Sequence, residues 1–314
     1  MQQREVRHVA VIGTGTIGAS WAAFFLSRGL RVSASDPAPQ AERQLRQFVD
    51  TAWPVLRELG AATAAPPHDS LIFCAEPETA VAEAEFVQEN GPEREAVKQA
   101  LLARIDAVLP PEVIIASSSS GLLISRLQAG CRHPERCVIG HPFNPPHLIP
   151  LVEVVGGERT APAAIEGALA FYKAIGKRPI HIRREVAGHV ANRLQAALWR
   201  EAVHLVAAGV ASVADVDAAI SEGPGLRWAL MGPHLTFHLA GGIGGMTHFL
   251  EQLGPPLESW WDELGNPRLT PEIGQALTAG VAAEAEGRDI ATLAAERDRF
   301  LVDLLALKAG QRGA

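Results

Sequence analysis

Cysteine is scarce in this chain, with only Cys74, Cys131 and Cys137 among 314 residues. The number is odd and no CxxC spacing occurs, so neither a disulfide framework nor a zinc site is indicated, and the three thiols are expected in the core. Also missing is any apolar run of the ~18 residues a membrane span requires. The opening MQQREVRHVAVIG passes from charged residues directly into a strand and carries no signal-peptide pattern, so the expected location is the cytoplasm. Arginine far outnumbers lysine, yet no basic run forms and the net charge is −7, which argues against a nucleic-acid surface. No internal repeat or low-complexity tract stands out. What is present suffices for ordinary cores: 47% of residues are hydrophobic, and the length allows roughly two domains of ~150 residues each.

The first informative stretch is Val9 to Ile12, a buried-strand run followed by Gly13-Thr-Gly15-Thr16-Ile17-Gly18 and an alanine-rich helix from Ala19 to Leu26. This is the strand, glycine turn and helix of a dinucleotide site. Gly13 permits the tight turn, Gly15 lets backbone approach a pyrophosphate, Gly18 lets the helix close on the strand, and the helix N-terminus favours the phosphates. A second strand, Arg31 to Ser35, ends in Asp36, near the ~20-residue offset at which an acid takes the ribose hydroxyls of NAD. Asp36 would repel a 2′-phosphate, and Pro37-Ala38 supplies no arginine to hold one, so NAD is expected over NADP.

The βα alternation then continues. A helix is expected from Ala41 to about Leu59, strands at Leu71 to Cys74 and Phe86 to Glu89, a helix from Arg94 to Val108, and a strand from Val113 to Ala116 that releases the polar run Ser117 to Ser120. Cys137 to Gly140 reads as a strand with His141 at its carboxyl end, on a rigid loop tip because Pro142, Pro145 and Pro146 forbid a helix. Leu151 to Val155 is a further strand in which Glu153 is the only acid. A buried acid needs a partner, and a carboxylate on one ring nitrogen of His141 would leave the other free for proton transfer. The plainer account is a satisfied loop histidine and an edge-strand glutamate. Asp36, Glu93, Ser120 and His141 all fall at or past strand ends, where open α/β sheets bind ligands.

A helix at Ala163 to Ile175 and a strand at Arg178 to Ile182 follow, and beyond about Glu185 the strand pattern stops. Helices are expected at His189 to Ala208, Val213 to Ser221, Leu226 to Ala240, Met246 to Leu253, Pro271 to Glu286 and Ile290 to Leu307. The fold class is therefore α/β, a Rossmann-type doubly wound sheet over residues 1–185 followed by a smaller all-α domain over 186–314. The first helix of that domain would bring Asn192 to the crevice at the junction. His234 and His238 stand four apart, but no HExxH surrounds them and no metal is expected.

With GTGTIG, Asp36, SSSS, HPFNPP, LVEVVGG and GHVANRL in this order, the chain resembles the L-3-hydroxyacyl-CoA dehydrogenase superfamily over nearly its whole length. SSSSGLL, GHPFNPPHLIPLVE and GPGLRWALMGP look most like its L-gulonate 3-dehydrogenase (lambda-crystallin) and L-carnitine dehydrogenase branch. The resemblance implies a catalytic histidine at His141, its orienting glutamate at Glu153, and substrate-contacting Ser120 and Asn192. It places Glu93, Lys98, Ser118 and Asn144 on the cofactor side, beside Gly13, Gly15, Thr16, Ile17, Gly18 and Asp36. Two departures concern substrate: His189 replaces the aromatic residue usual in that segment, and Ser118 stands where acyl-CoA enzymes carry asparagine. The implied activity is NAD-dependent oxidation of a 3-hydroxyl, with His141 taking the proton, and the implied assembly is a homodimer through the helical domain.

The expected substrate is a small free 3-hydroxy acid of L-carnitine or L-gulonate type. Phe48 to Ala80 contains only Arg57 among arginine and lysine, against Asp50, Glu58, Asp69, Glu76 and Glu78, which suits the phosphates of CoA poorly. Arg227 is the candidate fork for a free carboxylate, and Phe143, Trp228, Trp260 and Trp261 offer aromatic faces for a quaternary ammonium. The alternatives are a 3-hydroxyacyl-CoA dehydrogenase and a non-catalytic, crystallin-like NAD-binding protein.

Overall fold

The computed structural model describes residues 5–312. The chain divides into two compact units, Met1–Asn192 and Arg193–Ala314. The first is an eight-stranded sheet in the order β3-β2-β1-β4-β5-β6-β7-β8. Its strands are β1 (His8–Ile12), β2 (Arg31–Ser35), β3 (Leu71–Cys74), β4 (Phe86–Glu89), β5 (Ile114–Ser117), β6 (Cys137–Pro142), β7 (Leu151–Gly156) and β8 (Arg178–His181). All neighbours pair parallel except β6 and β7, which run antiparallel. Helices α1 (Thr16–Ser27), α2 (Ala41–Glu58), α3 (Pro77–Val81), α4 (Glu95–Asp106), α5 (Ile124–Leu127) and α6 (Pro162–Ala174) supply the crossovers. The short α3 and α5 were not expected from the sequence, because one turn of helix is too brief to show a period.

Central parallel strands are buried on both faces, and the side-chain alternation sorts them into two cores. Val9, Val11, Val32, Phe86, Val152 and Val154 pack with Trp21, Phe25, Leu45, Phe171 and Tyr172 of α1, α2 and α6. On the other face Ala10, Ile12, Val87, Ile115, Ile139 and Val155 meet Val81, Leu102, Ile105, Ile124 and Leu127 of α3, α4 and α5. Phe86 and Phe171 stack with ring centroids 4.0 Å apart, and Trp21 and Phe25 at 5.0 Å. A buried ion pair closes the second face, with the Arg136 guanidinium donating to Asp106 Oδ1 at 2.9 and 2.7 Å just before β6 begins.

The sheet corrects the expected place of His141. It is not on a loop tip: β6 continues through Pro142, and His141 lies directly opposite Glu153 in the β6–β7 register. A strand needs only a compatible φ at proline, and antiparallel pairing with β7 supplies the partner that carries the strand two residues past Gly140.

The second unit is all helix, with α7 (Ala191–Ala207) running across the division, then α8 (Val213–Ser221), α9 (Pro224–Trp228), α10 (Pro233–Ala240), α11 (Gly245–Glu263), α12 (Pro271–Glu284) and α13 (Ile290–Arg312). Two expectations fail here. Leu226 to Ala240 is two helices, because Pro233 can open α10 at its first turn but cannot continue a helix from α9. Conversely α11 runs well past Leu253, through Pro255 and Pro256 to Glu263, although each proline removes an intrahelical donor. This unit buries little of its own apolar surface: Leu226, Leu230, Leu239, Leu250, Trp260 and Trp261 are all exposed. An apolar cavity of about 370 Å³ lies among Trp199, Val203, Val206, Val213, Val216, Leu277 and Val281. Among the described residues no helix is long and apolar enough to cross a membrane.

Candidate active site

The glycine turn after β1 has the geometry a dinucleotide needs. Gly13 sits at φ 87°, and a Cβ there would lie 2.8 Å from the Asn90 backbone. A Cβ on Gly18 would fall 1.8 Å from the Gly13 carbonyl oxygen, so α1 closes on the turn only with glycine. At Gly15 the space a Cβ would enter is open. Gly15 caps α1 without a side-chain hydrogen bond, so the first amides of the helix, from the exposed Thr16 and half-buried Ile17 onward, remain for an anion. Asp36 accepts the Thr14 amide at 2.6 Å and the Ala38 amide at 2.8 Å, which anchors its carboxylate beside the turn with lone pairs to spare for ribose hydroxyls. Thr14 Oγ1 is buried with no partner. These residues fit NAD.

His141 and Glu153 form the centre of the site. Both are buried, at 4% and 0% exposure. His141 Nδ1 lies 2.9 Å from Glu153 Oε2. The carboxylate can only accept, so Nδ1 carries the hydrogen and Nε2 of the neutral ring presents its lone pair. That lone pair meets the Ser120 hydroxyl at 3.2 Å. The other carboxylate oxygen, Oε1, accepts the backbone amides of Val190 and Ala191, each at 2.9 Å. Burial pushes the Glu153 carboxyl up, but the bonds from His141 and from the Ala191 and Val190 amides outweigh it and hold the group below the ordinary carboxylate value. Phe143 stands edge-on to His141, with ring centroids 5.6 Å apart.

Glu93 organises the serine run that leaves β5. Its Oε1 accepts the Ser119 hydroxyl at 2.7 Å and the amides of Ser120 and Gly121 at 2.9 Å each. Burial raises its proton affinity, and the Ser119 bond, the Gly121 amide, Lys98 and the Ser120 amide together lower it further than burial raises it. Lys98 is 1% exposed; its Nζ donates to both oxygens of the buried Glu89, at 2.9 and 3.0 Å, and stands 3.9 Å from Glu93. Glu89 also accepts the Ser117 hydroxyl at 2.5 Å. Asn192 Nδ2 donates to the Ser120 carbonyl at 3.3 Å. Ser118 bridges Gln88 and Asn90, accepting from Gln88 Nε2 at 2.8 Å and donating to Asn90 Oδ1 at 2.7 Å.

Of the sequence-derived candidates, the structure thus joins His141, Glu153, Ser120, Asn192, Phe143, Glu93 and Lys98, with Ser118 alongside. Asp36 belongs to the glycine turn, and Asn144 is exposed on the loop after β6. Arg227 and Trp228 belong to the helical unit, on α9, and both are exposed. Sequence reasoning missed Gln88, Glu89 and Tyr172, and it noted His189 only as a departure concerning substrate. Gln88 and Glu89 carried a signal, since a polar pair ending a buried strand needs partners just as Glu153 does. Tyr172 did not: its hydroxyl donates to Gln88 Oε1 at 2.6 Å and would lie 2.0 Å from a Cβ at position 140, which is why glycine precedes His141. Among the described residues no group of three or more His, Cys, Asp or Glu side chains could hold a metal.

Comparison with known proteins identifies related sequences along nearly the whole chain. Residues 8–186 match the family model of the 3-hydroxyacyl-CoA dehydrogenase NAD binding domain, and residues 188–284 that of the 3-hydroxyacyl-CoA dehydrogenase C-terminal domain. An L-carnitine dehydrogenase of Streptomyces coelicolor is 56% identical over 300 residues, covering 96% of this chain and 94% of that protein. One of Bacillus cereus is 50% identical over 307 residues, covering 98% and 94%. Among solved structures, an NAD+-dependent dismutase, 5-formyl-3-hydroxy-2-methylpyridine 4-carboxylic acid 5-dehydrogenase, superposes with a TM-score of 0.84 at 33% identity, covering 98% of this chain and 99% of the other. A 3-hydroxybutyryl-CoA dehydrogenase of Escherichia coli gives 0.65 at 30% identity, covering 76% and 50%.

Proposed function

Since the chain belongs to the 3-hydroxyacyl-CoA dehydrogenase family and is an NAD-dependent oxidoreductase acting on a CH–OH group, we propose that it oxidises the 3-hydroxyl of L-carnitine to the ketone. The observation that carries the chemistry is the Glu153–His141–Ser120 chain of hydrogen bonds at 2.9 and 3.2 Å. In this reading the substrate hydroxyl takes up the lone pair of His141 Nε2 and gives it its proton as the carbinol hydrogen leaves. Gly13, Gly15, Thr16, Ile17, Gly18 and Asp36 would hold NAD, which would supply the hydride acceptor. Glu153, kept ionised by its three hydrogen bonds, stabilises the imidazolium that forms. Ser120 and Asn192 orient the reacting oxygen or a nearby carboxylate. Glu93, backed by Lys98, fixes the serine run, while Ser118 and Asn144 border the nicotinamide side. Residues 1–185 bind NAD and carry the His–Glu pair; residues 186–314 hold substrate and form the dimer.

The choice of a free acid rests mainly on the L-carnitine dehydrogenases, 49–56% identical over nearly full length. The acidic strip from Phe48 to Ala80 supports it less than the sequence implied, because Arg104 of α4 pairs with Glu76 at 3.2 Å and Glu78 at 2.7 Å. Phe143, edge-on to His141, offers an aromatic face to the quaternary ammonium, and Arg227 and Trp228 of the helical unit remain the sequence-derived candidates for its carboxylate and ammonium groups. Replacing His141 by alanine should cut the rate roughly 10²- to 10⁴-fold while NAD affinity holds. An unaltered rate would eliminate His141 as the base, and with it this mechanism. The exposed apolar side chains of the helical unit, Leu226, Leu230, Leu239 and Leu250 among them, support a homodimer. A monomeric mass across micromolar concentrations would refute it.

A further inference from the structure

His189 is a buried imidazole beside His141. It is 1% exposed, and its ring centroid lies 5.1 Å from that of His141. Its Nε2 stands 2.9 Å from the Ser119 carbonyl oxygen. A carbonyl accepts only, so Nε2 carries the hydrogen and Nδ1 of the neutral ring holds a lone pair. Nδ1 is buried and has no partner. Burial, aided by the nearby His141, lowers the proton affinity of the ring more than the Ser119 bond, Glu153 and Glu93 raise it. An unpaired buried acceptor costs stability, and a phenyl ring would remove that cost only by leaving the buried Ser119 carbonyl without its donor. The imidazole therefore has to be explained by its other nitrogen.

That nitrogen closes a clasp. Gly188 at φ 77° and His189 at φ 51° turn the chain inward. The same five-residue stretch then reaches both halves of the proton-transfer site: Val190 and Ala191 amides hold Glu153, while His189 and Asn192 side chains hold the carbonyls of Ser119 and Ser120. We propose that His189 is a positioning residue, whose Nε2–H bond to the Ser119 carbonyl sets the serine run so that the Ser120 hydroxyl meets His141. The assignment rests on the reading of His141 as the base.

The test compares His189→Phe, which keeps ring volume and loses the donor, with His189→Gln, whose amide restores a donor at similar reach. For each variant kcat, KM for L-carnitine, NAD affinity and Tm are measured, with activity expressed per folded enzyme and His141→Ala run in parallel. Misplacement of a reacting group by about 1 Å can cost on the order of 10²-fold. His189→Phe should therefore lower kcat by ~10- to 100-fold with KM and NAD affinity nearly unchanged, and His189→Gln should recover most of the loss. Full kcat in His189→Phe, or equal impairment of both variants, overturns the assignment. If His141→Ala is inactive in the same series, the base survives that failure; if His141→Ala is active, the base itself is wrong.

Discussion

Replacing Glu153 by glutamine changes one atom of the site and reverses the hydrogen-bond logic around His141. The amide oxygen can still accept from Val190 and Ala191, which now bond Oε1 at 2.9 Å each, so the segment that enters α7 stays anchored. The amide nitrogen, however, faces His141 Nδ1, where the carboxylate accepts at 2.9 Å. Two donors cannot share that contact. The imidazole must either leave it or move its hydrogen to Nε2, and a protonated Nε2 is no base. Two losses combine. The charge-assisted bond to the imidazolium is worth about 1.5–3 kcal/mol, or roughly 10- to 150-fold in rate. The inverted tautomer adds to this, and the equivalent exchange behind the histidine of a serine protease costs about 10⁴-fold. The expected fall in kcat is thus between ~10² and ~10⁴, with KM and NAD affinity little changed. Initial rates of NADH formation give kcat, NADH titration checks the cofactor site, and ¹⁵N shifts of the imidazole report the tautomer. A Glu153→Gln enzyme within about threefold of the parent, a difference under ~0.7 kcal/mol, would refute the role given to the pair.

Two further outcomes are expected. Lys98→Met leaves the buried Glu89 without its cation, so unfolding free energy from denaturant titration should drop by about 3–5 kcal/mol; an unchanged stability would mean that Ser117 and the Gly91 amide alone satisfy Glu89. Glu153 and Glu93 both have folded-state proton affinities below the ordinary carboxylate value. Their contribution to stability is therefore complete above the unfolded value of about 4.3 and is lost as pH falls through the depressed folded values. Stability should fall on that acid side, and less steeply in Glu153→Gln; identical slopes would contradict the hydrogen-bond account of Glu153.

The parts of the molecule legible in the sequence are those governed by local rules. GTGTIG with Asp36 defines its own turn because the glycines act on immediately adjacent backbone, and strands such as β1, β3, β6 and β7 show as short apolar runs. Glu153 was found because one acid in the run LVEVV has to find a partner, and the structure supplies His141 across the β6–β7 ladder. What escaped depends on contacts between distant residues. Tyr172 reaches Gln88 across 84 positions, and Arg136 meets Asp106 across 30, and no spacing rule relates such pairs. His189 looked like a helix residue, whereas the structure puts it in the left-handed turn before α7, where its direction is set by Gly188. The helical unit was the least legible, because Pro233 opens a new helix after α9 whereas Pro255 and Pro256 lie inside α11, and proline alone does not tell the two apart.

The most direct test of the central claim is a comparison of kcat/KM, by NADH formation, for L-carnitine, L-gulonate, free L-3-hydroxybutyrate and L-3-hydroxybutyryl-CoA under one set of conditions. The account predicts that L-carnitine gives the highest value. A highest value for the CoA thioester would contradict it, and the site built on His141 and Glu153 would then belong to an acyl-CoA enzyme.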